Sequence, residues 1–148
     1  MRNIQLIRVI VLSAVGLAGC SANPAYEPIF RDLVASMQRA TAAMKNAHDA
    51  NTLKTAAAIL LTEADTVKEL SKKLDQLGKP NSASKKSVKP HLDEIRSSES
   101  EFAEASKQFA KTVSTTRLSE EDRLAYAFAG MSFGQALERF GFNEKDFE

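Results

Sequence analysis

Few side chains in this sequence could do chemistry, and their spacing limits what they could do together. Cys20 is the only cysteine, and His48 and His91 are the only histidines. A single thiol cannot close a disulfide within the chain. Nor can it supply the cysteine sets of an iron–sulfur cluster, a thiolate zinc site or a covalently attached c-type haem. His91 with Glu94 three residues later is one weak ligand pair, whereas a di-metal helical bundle needs Glu-x-x-His twice and further glutamates. A surface position at a helix end accounts for each histidine. Glu63 and Glu99 fall beside apolar seams, and a buried carboxylate with a raised pKa can act as a general acid. An enzyme of unknown class would have to use Glu99, yet no second group of matching role accompanies it. The sequence has no Gly-rich phosphate loop, serine-nucleophile elbow or zinc-protease motif. The expectation is a non-enzymatic protein with no catalytic residues, no metal site and no cofactor.

The surroundings of Cys20 say more. Arg2 and Arg8 precede the apolar run Val9-Ile10-Val11-Leu12-Ser13-Ala14-Val15-Gly16, which is too short for the ~20 residues that a ~30 Å bilayer core requires. It reads as a removable export signal. The four residues that close it, Leu17-Ala18-Gly19-Cys20, resemble the lipobox of bacterial lipoproteins. The resemblance covers residues 1 to about 21. It implies that residues 1–19 are a signal peptide and that Cys20 becomes the first mature residue, with a diacylglyceryl thioether on its sulfur and a further acyl chain on its amine. Ser21, not being Asp, implies transfer to the outer membrane. The expected location is the inner leaflet of that membrane, facing the periplasm.

The chain of 148 residues carries 20 Lys and Arg against 19 Asp and Glu. Removing Arg2 and Arg8 with the signal leaves 18 against 19, a net charge of −1. A balance of this kind gives no footing for nucleic acid, which requires a strongly basic face. What remains is one domain's worth of sequence, and it must be stable without cross-links.

Four helices are expected to build that domain. After a lipidated tether over 20–27, the first runs from Pro28 to about Ala47, with Phe30, Leu33, Val34, Met37, Ala40, Met44 and Ala47 on one face. Asp49 or Asn51 can cap the second, over 52–77, where Leu53, Leu60, Val67 and Leu74 recur every seven residues and predict a near-straight seam. Gly78 and Pro80 stop it. Residues 78–89 form the longest polar stretch and are expected to be a loop. The third helix follows Pro90 on Leu92, Ile95, Phe102, Phe109 and Val113. Ser119 and Asp122 match a capping box for the fourth, which should reach Phe140 and close on Gly141, with Phe142 folding back. The domain, 28–142, is thus predicted to be an all-α, up-down-up-down four-helix bundle, followed by a short tail over 143–148 that Phe147 can pin.

Two surfaces exceed a generic bundle. At 100° per residue, Leu124, Ala127, Phe128 and Met131 occupy one side of the fourth helix, and Tyr126, Phe133, Leu137 and Phe140 nearly the opposite side. A bundle helix needs only one apolar stripe. The second, assigned to Tyr126, Phe133, Leu137 and Phe140, is either a candidate surface for an envelope protein or a second copy, with Gly130 and Gly134 permitting close approach, or the back of a central helix covered by Tyr26, Phe30 or Phe147. Lys79, Lys85, Lys86 and Lys89 in the expected loop are candidate contacts for anionic lipid head groups, each contributing at most ~1 kcal/mol near such a surface.

The body loosely resembles the small periplasmic four-helix b-type cytochromes, in the texture of Met37 through Leu77. That family holds haem between a methionine of its first helix and a histidine of its last. Here Leu118 to Phe140 contains no histidine, which leaves Met37 as core packing and a degenerate haem-binding bundle as the alternative. The expected role is a binding or structural module, anchored by lipid in the cell envelope.

Overall fold

The computed structural model describes residues 21–140. Cys20, the Leu17–Cys20 motif, Gly141, Phe142 and Phe147 lie outside the described residues. Four helices make up the fold: α1 (Tyr26–Lys45), α2 (Ala50–Leu77), α3 (Ser82–Thr115) and α4 (Glu120–Arg139). No strand occurs among the described residues. The architecture is the expected all-α, four-helix one.

The predicted stripes form the core. Phe30, Leu33, Met37, Ala40 and Met44 of α1 are buried, and the seven-residue seam of α2, Leu53, Leu60, Val67 and Leu74, is buried along its whole length. α1 begins two residues earlier than Pro28, because Tyr26 is itself a core residue. Its ring is buried, and its hydroxyl donates to the carbonyls of Leu77 at 3.2 Å and Gly78 at 2.9 Å. One side chain therefore satisfies two carbonyls that the end of α2 leaves without helical partners. Pro28 keeps a place in the first turn, where a missing N–H costs nothing.

Asp49 caps α2 by accepting from the Thr52 backbone N–H at 2.8 Å, and the Thr52 hydroxyl accepts in return from the Asp49 N–H at 2.9 Å. The two groups form a reciprocal capping box. Ser119 accepts from the Asp122 N–H at 3.1 Å at the start of α4.

The loop expected over 78–89 is largely helix. Only residues 78–81 connect α2 to α3. Asn81 caps α3 by accepting from the Ser84 N–H at 2.8 Å, and Ser84 and Val88 are fully buried one turn apart. With Leu92 they extend the stripe backwards by two turns. Pro90 thus stands inside a helix, where it removes a hydrogen bond and clashes with the preceding turn at a cost of about 3 kcal/mol. Burying Val88 returns roughly 2 kcal/mol, and the Asn81 cap returns ~1 kcal/mol. The two gains together match the penalty.

α1 packs on both α2 and α3, and α2 packs on α4. The pairs Asn23–Ser84, Gln38–Glu94 and Lys45–Glu101 advance together along α1 and α3, so these two helices run side by side in the same sense. α3 and α4, although joined by a short turn, touch least of the four packed pairs. A groove opens between them.

Candidate functional site

The structure reverses the two faces of α4. Tyr126, Phe133 and Phe140 are buried and Leu137 is half-buried, so the residues expected to meet a partner are core. Phe133 is fully enclosed and packs on Phe102 at a ring-centroid distance of 5.7 Å, while Phe140 meets Phe30 edge to face at 6.1 Å. The opposite side is the exposed one: Leu124 is 65%, Phe128 61% and Met131 60% accessible. The correction has a simple cause. Sequence periodicity identifies two apolar sides, and only the placement of α1, α2 and α3 decides which is covered. Three large apolar side chains clustered on one exposed helix face form a patch of the kind that marks an interaction site.

The patch adjoins the α3–α4 groove, an apolar hollow of about 580 Å³. Phe102, Phe109 and Val113 of α3 form one wall, and Ala127, Gly130 and Met131 of α4 the other, with Met44 of α1 at the floor. Gly130 faces α3: a Cβ added there would stand 3.4 Å from the Phe109 ring. A Cβ at Gly134 would meet nothing within 4 Å. Arg123 lines the same groove and makes no ion pair among the described residues. Beyond Phe102 the groove continues into a smaller hollow of about 250 Å³, lined by Leu33, Met37, Ile95, Glu99, Leu137 and Phe140. Glu99 is exposed at its edge, and Met37 is buried at its base.

Glu63, the other carboxylate singled out by its position, has a structural assignment. Its side chain is 8% accessible against 54% for Arg39, which grips it with two hydrogen bonds: Nε to Oε1 at 2.6 Å and Nη2 to Oε2 at 2.8 Å. The Ser36 hydroxyl donates to Oε2 at 2.7 Å. Burial pushes the Glu63 pKa up, but the Arg39 and Ser36 hydrogen bonds and the Arg39 charge outweigh it and hold the carboxyl below its ordinary value. Glu63 is therefore ionised at neutral pH and poorly suited to donate a proton. The partner across the α1–α2 interface is Arg39. His48 is exposed beside Asp49 at the start of α2, as expected, whereas His91 is half-buried in the interior of α3 rather than at a helix end, because that helix already begins at Ser82. Among the described residues no group of three His, Cys, Asp or Glu side chains is placed to hold a metal ion.

The four lysines are partly relocated. Lys79 sits in the α2–α3 turn, whereas Lys85, Lys86 and Lys89 stand on the first turns of α3 instead of a loop. The Asn81 side chain donates to the Ser21 carbonyl at 3.1 Å, and the Ser84 hydroxyl accepts from the Asn23 N–H at 2.8 Å. Residues 21–23 are therefore fastened beside the same turn as the lysines, and the tether expected over 20–27 is shortened by its bonds to α3 and by the earlier start of α1. No helix of the described residues is long and apolar enough to cross a membrane.

The groove and its neighbouring patch give this four-helix protein an exposed apolar surface along α3 and α4. Compared with known protein families, curated proteins and solved structures, the chain matches none.

Proposed function

We propose that this protein is a non-enzymatic binding or structural module of the bacterial envelope, fastened to a membrane through acylated Cys20 and engaging a protein partner through the outer face of α4. The observation that carries the binding half is the cluster Leu124, Phe128 and Met131 beside the open α3–α4 groove. Exposing three such side chains costs solubility and adds nothing to the core, so their retention on one face fits a surface that is covered in use. The anchoring half rests on the resemblance of Leu17-Ala18-Gly19-Cys20 to the lipobox. With Ser21 bonded to Asn81, an acylated residue 20 would bring the start of α3 to the bilayer, and Lys79, Lys85, Lys86 and Lys89 toward anionic head groups. Basic side chains on the first turns oppose the positive end of a helix dipole, so helix stability is a poor reason for their presence there.

Two measurements test the proposal separately. Phe128→Asp should abolish an association of the full chain while leaving its helical circular dichroism unchanged; an association indifferent to that change ends the α4 assignment. The intact mass of the native product should correspond to a chain starting at residue 20 with its acyl groups. An unmodified Cys20 removes the anchor.

A further inference from the structure

We propose that the α3–α4 groove binds one molecule of a long-chain fatty acid, with the chain laid between the two helices and the carboxylate on Arg123. The groove and the exposed ridge of α4 are different surfaces, so occupancy of one is independent of protein docking on the other. At 100° per residue, Ala127, Gly130 and Gly134 lie within ~40° of Arg123 around the helix, whereas Leu124 and Phe128 lie ~100° and ~140° away. The interior of the groove suits an apolar ligand. Among the described residues, its polar lining consists of Arg123, Ser106 and Ser114. The Ser106 hydroxyl is turned to the Met44 sulfur at 3.6 Å, and the Ser114 hydroxyl donates to the Lys111 carbonyl at 2.7 Å. Both serines are thus satisfied within the protein, and Arg123 is left as the polar group for a ligand. Clefts between bundle helices, apolar with a few polar groups to fix orientation, are a usual form of small-molecule site.

Capacity and charge narrow the ligand further. At ~30 Å³ for an atom the size of a water or a methylene, the 580 Å³ of the groove holds roughly 19 such atoms. That is one saturated chain of about sixteen carbons with its carboxylate, and too little for the two chains of a phospholipid. Arg123 makes no ion pair among the described residues. Of the acids beside it on α4, Asp122 accepts from the Ser119 hydroxyl at 2.6 Å, Glu121 lies ~160° round the helix from Arg123, and Glu120 flanks it one turn earlier at ~60°. From α3 the nearest charges are basic, Lys107 and Lys111, each one position past a wall residue. A guanidinium with one acidic neighbour suits a monoanion better than a dianionic phosphate head, and its fork grips a carboxylate with two parallel hydrogen bonds. Glu99 and Glu138, both exposed, stand at the opposite end, ~22 Å along α4 from Arg123. They repel a carboxylate there and so fix the direction of the chain, from Arg123 toward Phe102 and the smaller hollow.

The probe is palmitate below its micellar concentration, titrated calorimetrically into the full chain carrying Cys20→Ser, so that no acyl group on that residue competes. One palmitate should bind per chain. Arg123→Gln should weaken palmitate at least fivefold and leave hexadecanol, the same chain without a charge, unchanged. Lysophosphatidate with the same chain should bind more weakly than palmitate. Gly134→Leu fills the groove from a position where an added Cβ meets nothing within 4 Å, and it puts a strong helix former in place of a helix-interior glycine. It should keep the helical circular dichroism and weaken palmitate and hexadecanol alike, at least tenfold. Phe128→Asp, on the outer side of α4, should change neither affinity. No binding of palmitate, more than one molecule per chain, or an affinity indifferent to both Arg123→Gln and Gly134→Leu overturns the inference. Tighter binding of lysophosphatidate overturns the carboxylate assignment, and loss of palmitate on Phe128→Asp in place of Gly134→Leu would put the chain on the ridge and overturns the site. Because Phe128→Asp tests protein docking and Gly134→Leu tests the groove, either reading can fail while the other stands.

Discussion

Two phenylalanines five residues apart on α4 give opposite expectations on truncation. Phe133 is fully buried and packs against Phe102, whereas Phe128 on the other side is 61% accessible. Phe133→Ala removes a large ring from the core and leaves a cavity, at a cost typically of 3–5 kcal/mol. Phe102 borders the groove and is only half-buried, so it can lean into part of the vacated space. The lower half of the range, about 3–4 kcal/mol, is therefore expected. Against a total stability of order 5–15 kcal/mol for a domain, that loss would lower Tm by roughly 10–20 °C at this chain length. Phe128→Ala gives up no core contact and should stay within about 0.5 kcal/mol. The assay is guanidinium denaturation followed by circular dichroism at a concentration dilute enough to exclude any linkage to association. If Phe128→Ala proves as costly as Phe133→Ala, or Phe133→Ala proves neutral, the orientation of α4 described above is wrong.

Three further outcomes are expected. Pro90→Ala should stabilise the fold by about 1–3 kcal/mol, because Pro90 is exposed and its removal restores an N–H inside α3; a neutral or adverse change in the denaturation midpoint would mean that α3 starts after residue 90. Glu63→Gln should cost about 1–2 kcal/mol, less than the 3–5 kcal/mol of a fully buried pair, since Arg39 is half in solvent. Because the folded Glu63 pKa lies below its unfolded value, its contribution is complete above the ordinary carboxylate range of ~4.3 and is lost as pH falls through the depressed folded value. Stability measured from pH 6 to pH 3 should therefore fall less steeply in the glutamine variant than in the parent. Gly78→Ala should lose about 1–3 kcal/mol by thermal denaturation: its φ of 73° is the only positive one among the described residues, its ψ of −149° places it where side chains other than glycine's are strained, and no neighbour within 4 Å adds a steric cost.

The local signals in the sequence were strong where a stripe was made only of apolar residues. Leu53, Leu60, Val67 and Leu74 announce α2 at the right spacing, and Asp49 and Ser119 announce the starts of α2 and α4. They failed at the beginning of α3, where the inward-facing residue is Ser84. Small and polar, it is buried by hydrogen bonding to Asn23 rather than by its hydropathy, and Pro90 pointed to a helix start that the burial of Val88 overrides. Glu63 and Arg39 are 24 positions apart on different helices, so no spacing rule pairs them. Tyr26 could not be recognised as a cap for α2, because the carbonyls it serves are 51 and 52 positions away.

Periodicity by itself determined that this chain forms four helices, which residues lie on their apolar sides, and that α4 carries two such sides. It could not determine which side of α4 is inside, because both repeat with the helical period and differ little in hydropathy. That choice was made by the tertiary structure: α4 seats Tyr126, Ala129, Phe133 and Ala136 toward the other helices, and the sparse contact between α3 and α4 leaves Leu124, Phe128 and Met131 facing water beside an open groove.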